Sequence, residues 1–204
     1  MEIKCLKLGK MQTNCYIISS KKSAVVIDPG VNSKVVEDFL NEQNKKEKII
    51  LLTHGHFDHI GGALNLHRLT GVDISIGDLE EDFLLNNELN LSNRFHPVLE
   101  PFNADRKLTD RQILTVGDLE IKVMATPGHS KGGVSYLIGN SLFSGDTLFY
   151  ETVGRTDLPT SCFDDLKKSV KKLYELDNNV AVYPGHGDFT SIAHEKKYNS
   201  CIRE

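Results

Sequence analysis

An α/β fold of two strand-rich halves, stacked as two sheets with helices outside, is what this sequence predicts. Three observations predict it. Short apolar runs of strand length recur through both halves of the 204 residues. Segments with apolar residues three and four apart are interspersed among them. Two glycine-led dipeptides each divide a pair of strand-like runs into a hairpin.

The elements follow in order. Ile3–Leu8, Cys15–Ser19 and Ala24–Asp28 read as short strands, the last ending at the turn Asp28-Pro-Gly30. Ser33 can cap a helix with Val35, Val36, Phe39 and Leu40 on one face. Lys48–Thr53 is a strongly apolar strand, a helix is expected from near His59 to Leu69, and Ile74–Ile76 is a short strand. The stretch from Leu85 to Asp110 has no clear period and is expected to be a loop with a short helix near the active face. Gln112–Val116 and Leu119–Ala125 flank Gly117-Asp118, and Val134–Ile138 and Ser141–Ser144 flank Gly139-Asn140. Phe163, Leu166, Val170, Leu173 and Leu176 mark a helix. Val180–Tyr183 is a last strand, with a short helix after Ser191.

Composition narrows the function. The length suits one domain spanning residues 1–204. The formal net charge of −4 disfavours nucleic acid as a partner. Lys167, Lys168, Lys171 and Lys172 read as a solvated helix face. Cys5, Cys15, Cys162 and Cys201 show neither zinc-knuckle nor disulfide spacing, and Cys5 and Cys15 read as small core residues. The longest aliphatic run, Ile49-Ile-Leu-Leu52, is too short to span a bilayer, and no signal peptide is visible. A cytoplasmic protein with no membrane partner is expected.

The chemistry concentrates at strand ends. His54 and His56 follow the run ending at Thr53, His129 follows Thr126-Pro-Gly128, Asp146 follows Ser144-Gly145, and His186 follows Tyr183-Pro-Gly185. Strand ends on a rigid sheet are where functional loops gather. In Thr53-His-Gly-His-Phe-Asp-His59, three imidazoles and a carboxylate fall within six residues. Without a metal, such a cluster would leave many polar groups unpaired on burial. A catalytic divalent ion usually takes three protein ligands and keeps a position open. His54, His56, Asp58 and His59 cannot easily reach one ion from so tight a loop. Split into the pairs His54 with His56 and Asp58 with His59, they need one nitrogen each from His129 and His186, with Asp146 between two ions. His67, His96 and His194 lack such context and read as structural or surface residues.

The stretch Thr53–Gly62 resembles the signature of the metallo-β-lactamase superfamily, as do Asp28-Pro-Gly30, Thr126-Pro-Gly-His-Ser130, Ser144-Gly-Asp146 and Tyr183-Pro-Gly-His-Gly187. Within it, Gly145-Asp-Thr-Leu-Phe149 and Gly154-Arg-Thr-Asp-Leu-Pro159 are similar to the short bacterial glyoxalase II-like (hydroxyacylglutathione hydrolase-like) hydrolases. The resemblance implies an αββα four-layer sandwich, two mixed sheets face to face with helices outside and the site at their common edge. It implies His54, His56 and His129 on one ion, Asp58, His59 and His186 on the other, and Asp146 bridging. Two divalent ions per chain follow, zinc first, with iron or manganese equally compatible with nitrogen and oxygen donors.

The implied activity is hydrolysis of a small-molecule acyl thioester, S-D-lactoylglutathione or a related acyl thiol, by a hydroxide bridging two metals that Asp58 orients. A thiolate leaves without a proton, so no dedicated general acid is needed. The alternatives are a mononuclear iron persulfide dioxygenase and a metallo-hydrolase of a non-thioester substrate. Nucleases of the superfamily carry extra domains for which this chain has no room. A β-lactamase fits less well, with no export signal and Asp146 where many such enzymes have a thiolate. Asp28, Thr53 and Ser130 are expected to support the ligands. Arg155 pairs with Asp157 or anchors a substrate carboxylate, and Tyr150, Cys162 and Phe189 are expected to line the pocket. Two departures concern the substrate side. Full-length glyoxalase II enzymes hold glutathione with a helical C-terminal segment that this sequence does not reach, so those contacts are not carried over. Short relatives usually have a glycine-rich stretch after Leu-Pro and end in Asn-Pro-Phe-Leu, where this chain has Thr160-Ser-Cys162 and Asn199–Glu204. The protein is expected to be a monomer or homodimer.

Overall fold

A computed structural model of the chain describes residues 1–42, 46–95 and 98–203; His96 lies outside them. Alternation of apolar side chains sorts the strands into layers. The first half gives β1 (Glu2–Leu8), β2 (Thr13–Ser19), β3 (Ser23–Ile27), α1 (Lys34–Glu42), β4 (Glu47–Leu52), α2 (Phe57–Ile60), α3 (Ala63–Thr70), β5 (Ile74–Gly77), α4 (Glu81–Leu85) and β6 (Arg106–Leu108). The second gives β7 (Ile113–Val116), β8 (Leu119–Ala125), β9 (Val134–Ile138), β10 (Ser141–Gly145), β11 (Leu148–Phe149), β12 (Thr152–Val153), α5 (Phe163–Tyr174), β13 (Ala181–Pro184), β14 (Thr190–Ser191) and α6 (Ile192–Tyr198). One sheet has the order β1-β2-β3-β4-β5-β6, and the other β14-β13-β10-β9-β8-β7.

Both sheets mix parallel and antiparallel pairs. Their period-two patterns supply three apolar layers. Ile49 and Leu51 of β4 join Val25 and Ile27 of β3 and Val123, Tyr136 and Phe143 of the opposite sheet in the central layer. Ile50 and Leu52 face the other way, onto Val36, Leu40, Ile60 and Leu66 of the helices. Met124, Leu142 and Val182 pack outward on Val170, Leu173 and Ile192. Helix, sheet, sheet, helix is therefore the layer order. No helix among the described residues is long and apolar enough to cross a membrane.

Two local expectations are corrected. Val35 is exposed, so the buried stripe of α1 is Val36 and Leu40. The helix expected from His59 to Leu69 is two helices. They are divided at Gly61 and Gly62, where the backbone packs so closely that a Cβ would lie 2.4 Å from the Gly30 carbonyl and 2.3 Å from that of Val31, respectively. The stretch after Leu85 holds the expected short helix, a 3-10 turn at Ser92–Arg94 among the described residues, and adds the short strand β6. The two predicted hairpins form, with Gly117 and Gly139 at φ of 58° and 56°.

Strand direction places the site. β3, β4, β5 and β6 are parallel. β10 is parallel to β13 and, like β8, antiparallel to β9, so β8, β10 and β13 run together. The loops leaving β4, β8, β10 and β13 meet at one edge, where the Val134 N–H donates to the Thr53 carbonyl at 2.8 Å and joins the sheets.

Candidate metal centre

The first-half donors rest on Asp28. This buried residue ends β3 at φ 52°, left-handed backbone that a non-glycine residue adopts at a cost. Its carboxylate accepts the Thr53 N–H at 2.8 Å, the Thr53 hydroxyl at 2.7 Å and His59 Nδ1 at 2.9 Å. The Thr53 hydroxyl gives its proton to Asp28, so at 3.1 Å it accepts from His54 Nδ1. Both imidazoles thereby have Nδ1 engaged and Nε2 turned to the site, the arrangement in which a partner fixes the tautomer of a ligand histidine. Thr13 donates to Asp58 Oδ2 at 2.9 Å.

The second-half donors are held by backbone. His129 Nδ1 donates to the Arg155 carbonyl at 2.8 Å, and the Ser161 hydroxyl holds the His129 carbonyl at 2.8 Å. The His186 loop is clamped from the opposite sheet. Asn14 N–H donates to the Gly185 carbonyl at 2.8 Å, and its amide to the carbonyls of Pro184 and Gly187 at 3.0 and 3.1 Å. Gly185 sits so close to the cluster that a Cβ there would lie 2.2 Å from Asp146 Oδ1.

All seven expected donors converge in three overlapping groups: His54, His56 and His129; His54, His59 and Asp146; and Asp58, His59 and His186. His56 Nδ1 lies 2.9 Å from His129 Nε2. His59 Nε2 lies 3.3 Å from His186 Nε2 and 3.4 Å from Asp146 Oδ1, and Asp146 Oδ2 lies 3.5 Å from His129 Nε2. His186 Nε2 is 3.2 Å from Asp58 Oδ2. His54 Nε2, His56 Nε2 and Asp146 Oδ1 are buried and have no hydrogen-bond partner. Buried polar atoms are normally satisfied, so the two orphans within the cluster, His54 Nε2 and Asp146 Oδ1, fit a bound cation, while His56 faces the cluster through Nδ1. The donor set, imidazole and carboxylate without thiolate, suits zinc, iron or manganese.

Protonation agrees with this reading. Burial pushes His54 well below its ordinary value, and neighbouring imidazoles push the same way. Burial and then His129 take His56 down to about 3. For His59 burial works downward, but Asp146, Asp58 and Asp28 outweigh it and raise it to about 10. His186 is also raised: burial opposes, while the Asp58 hydrogen bond and Asp146 favour its proton. Burial would lift Asp58, yet His59 and His186 hold it below the usual carboxylate range. Neutral nitrogens and acid-held protons thus share one cluster, and a divalent cation competes with those protons.

Beside the cluster lies a cavity of about 500 Å³. Met11, Phe57, Leu91, Phe95, Phe149, Val153 and Leu158 make it largely apolar, and Arg94 and Arg155 add guanidinium groups. Tyr150, Cys162 and Phe189, expected there, do not line it. Tyr150 stacks on His194 with centroids 5.0 Å apart, and Phe189 packs 5.0 Å from Tyr183. Cys162 precedes α5, and its N–H donates to the Gly128 carbonyl at 2.8 Å. Arg155 makes a two-pronged pair with Asp157 at 2.6 Å for each contact.

Sequence reasoning missed Glu80. This wholly buried carboxylate takes the Gly55 N–H at 2.8 Å and the Gly132 N–H at 2.7 Å. It links the loop of His54 and His56 to the loop that follows His129. Burial raises Glu80 to about 7, although both N–H groups pull it down. One acid among the four of Asp78-Leu-Glu-Glu-Asp82 gives no signal of such a role. Thr13 and Asn14 were likewise invisible, because their partners are 45 and 170 residues away.

Comparison with known proteins agrees. A sequence model of the metallo-beta-lactamase superfamily matches residues 8–186. Hydroxyacylglutathione hydrolase GloC of Haemophilus influenzae is 32% identical over 98% of this chain and 97% of its own length. The crystal structure of BLEG-1 B3 metallo-beta-lactamase superposes with a TM-score of 0.90 at 35% identity, covering 98% of both chains. That of TTHA1623 in a di-iron-bound form gives 0.85 at 29% identity, covering 97% of this chain and 98% of that one. With its four-layer fold, its strand-end donors and the span of these matches, the chain belongs to the metallo-beta-lactamase superfamily.

Proposed function

We propose that the protein is a glyoxalase II-like thioester hydrolase, acting on S-D-lactoylglutathione or a related acyl thiol with two divalent ions. Residues 1–204 form one catalytic unit. One observation carries the reading: two three-donor groups, joined through Asp146, open on an apolar cavity with no other acid in its lining. His54, His56 and His129 would hold one ion, Asp58, His59 and His186 the other, and Asp146 both. Such a pair, when bound, supplies a water acidified enough to be hydroxide near neutral pH and polarises a carbonyl oxygen.

The protein's own groups do the rest. Asp58, kept ionised by His59 and His186, accepts a hydrogen bond from the attacking water and aims it at the acyl carbon. Thr13 fixes the rotamer of that carboxylate. Phe57, Phe95 and Leu158 exclude bulk water from the substrate. Among the lining residues, every titratable group other than the two guanidiniums belongs to the donor cluster. A leaving amine would find no spare acid, whereas a thiolate needs none. The likeness to GloC points the same way, and the likeness to a di-iron protein makes iron a natural rival to zinc. The substrate is a small molecule and not nucleic acid, and the protein works in the cytoplasm as a monomer or homodimer.

The likeness to BLEG-1 favours a second reading, hydrolysis of a β-lactam. One experiment separates the readings. The metal content of the purified protein is quantified, and the same sample is assayed for thioester cleavage, β-lactam cleavage and oxygen uptake with glutathione persulfide. Two metals per chain with thioester cleavage dominant are expected. One iron per chain with oxygen uptake would instead identify a dioxygenase, and dominant β-lactam cleavage would identify an amide hydrolase.

A further inference from the structure

The cavity's two guanidinium groups are not equivalent. Arg155 has its charge matched by Asp157 through two short contacts, and its carbonyl holds His129. Arg94 has no hydrogen bond or ion pair from its side chain among the described residues, yet it lines the same cavity. Its backbone is well fixed. Asn90, fully buried, donates its amide to the Phe83 carbonyl at 2.8 Å and accepts the Ser92 N–H at 2.9 Å. The Asn90 carbonyl accepts the N–H of Phe57, the residue between His56 and Asp58, at 2.9 Å. Phe57 in turn stacks on Phe95 with centroids 4.4 Å apart and planes 18° from parallel. Leu91 enters the turn at φ 67°, a left-handed conformation that is uncommon for a branched side chain. A strained turn, buttressed by a buried amide and stacked on the metal loop, presents an unmatched cation to an apolar cavity.

We propose that Arg94 is a substrate-anchoring residue. It receives an anionic group on the thiol portion of the substrate, while Phe57, Phe95, Met11 and Leu91 cover the apolar stretch between that anion and the reacting carbonyl. Guanidinium matches carboxylate and phosphate in a two-pronged geometry, so the exposed Arg94 gives orientation as well as charge. The substrate class is therefore an acyl thioester whose thiol carries a carboxylate or phosphate beyond a short apolar segment. This rests on the thioester reading above.

The test uses the metal-loaded protein and three thioesters of one acyl group. Their thiols are 3-mercaptopropionate, its methyl ester and 2-mercaptoethyl phosphate. The wild type should prefer one of the two anionic thiols to the methyl ester by about tenfold or more in kcat/KM, carried by KM, the size of one charge-assisted hydrogen bond. The preferred anion names the source. Arg94→Met should collapse that ratio, and Arg94→Lys should keep part of it. Titration of the matching S-alkyl thioethers by calorimetry yields the same charge preference without turnover. Failure of hydrolysis alone would then count against the thioester reading. An equal ratio in wild type and Arg94→Met, by turnover or by thioether binding, would overturn the role of Arg94.

Discussion

Asp28 and His59 are joined at 2.9 Å between Oδ2 and Nδ1, and the same carboxylate carries both hydrogen bonds from Thr53. One buried acid therefore orients a donor of each three-residue group, His59 directly and His54 through the Thr53 hydroxyl. Asp28→Asn keeps the volume and tolerates the positive φ, but it puts an amide donor against groups that themselves donate. Metal affinity should fall about 10- to 100-fold, measured by competition with a chromophoric chelator. An unchanged affinity would show that the carboxylate does not orient the ligands.

Glu80→Gln tests the link beneath His54, His56 and His129. An amide can satisfy only one of the two N–H groups that Glu80 holds. The variant should lose about 1–3 kcal/mol of stability and bind its first metal equivalent more weakly. For a carboxyl raised to about 7, the native state holds the proton more tightly than the unfolded chain. Stability from this group is therefore greatest at low pH and declines as pH rises from the unfolded value of about 4.5 to 7. Urea titrations across that window should show the slope in metal-free wild type and a flatter one in Glu80→Gln.

Proton release accompanies metal loading. In metal-free protein His59 holds its proton to about 10 against Asp146, Asp58 and Asp28. Its protonation stabilises that form fully below the unfolded value of about 6.5, and the gain is lost as pH climbs toward 10. Metal must displace the proton, so affinity should rise with pH over the same range. Calorimetry at pH 7.5 in two buffers of different ionisation enthalpy should detect at least one proton released per chain. A buffer-independent heat would contradict this.

Removing no donor at all can still empty the site. A Cβ at Gly185 would stand 2.2 Å from Asp146 Oδ1 and 2.7 Å from His59 Cε1. Gly185→Ala should therefore cost metal and activity as severely as His56→Ala, with both variants keeping a native circular dichroism spectrum. Wild-type metal content in Gly185→Ala would mean that the loop can yield.

Glu195 ties the C-terminal helix to the cavity wall. Fully buried, it accepts the Glu151 N–H at 3.0 Å, the Thr190 hydroxyl at 2.5 Å and the Asn199 amide at 2.8 Å. Glu151 lies between Phe149 and Thr152, two lining residues. Glu195→Gln should lower stability by about 1–3 kcal/mol and raise KM more than it lowers kcat. Steady-state kinetics beside a urea melt would check both.

Strands were legible because β2, β3, β4, β8 and β9 alternate or run apolar with turn residues at their ends. The seven donors were legible because each follows such a run and their types suit one chemistry. What stayed hidden depends on the third dimension. Glu80 and Asn14 act on backbone groups far away in sequence, and hydrogen bonds to backbone leave no residue pattern. Tyr150 and Phe189 were expected to line the cavity. Folding turns them onto His194 and Tyr183 instead. Arg94 was passed over because its segment shows neither helical nor strand period.

The backbone bond from Val134 to Thr53 marks where the two sheets meet, and the donors divide across that seam. Residues 54–59 supply four of them, and His129, Asp146 and His186 supply three. An ion held by either three-residue group is thus a rivet between halves of the chain, closing loops of 73 and 127 residues. Neither half can hold metal as the whole does. Metal occupancy in the cell should then report that both sheets have docked, and chelation should loosen the seam before it melts either sheet.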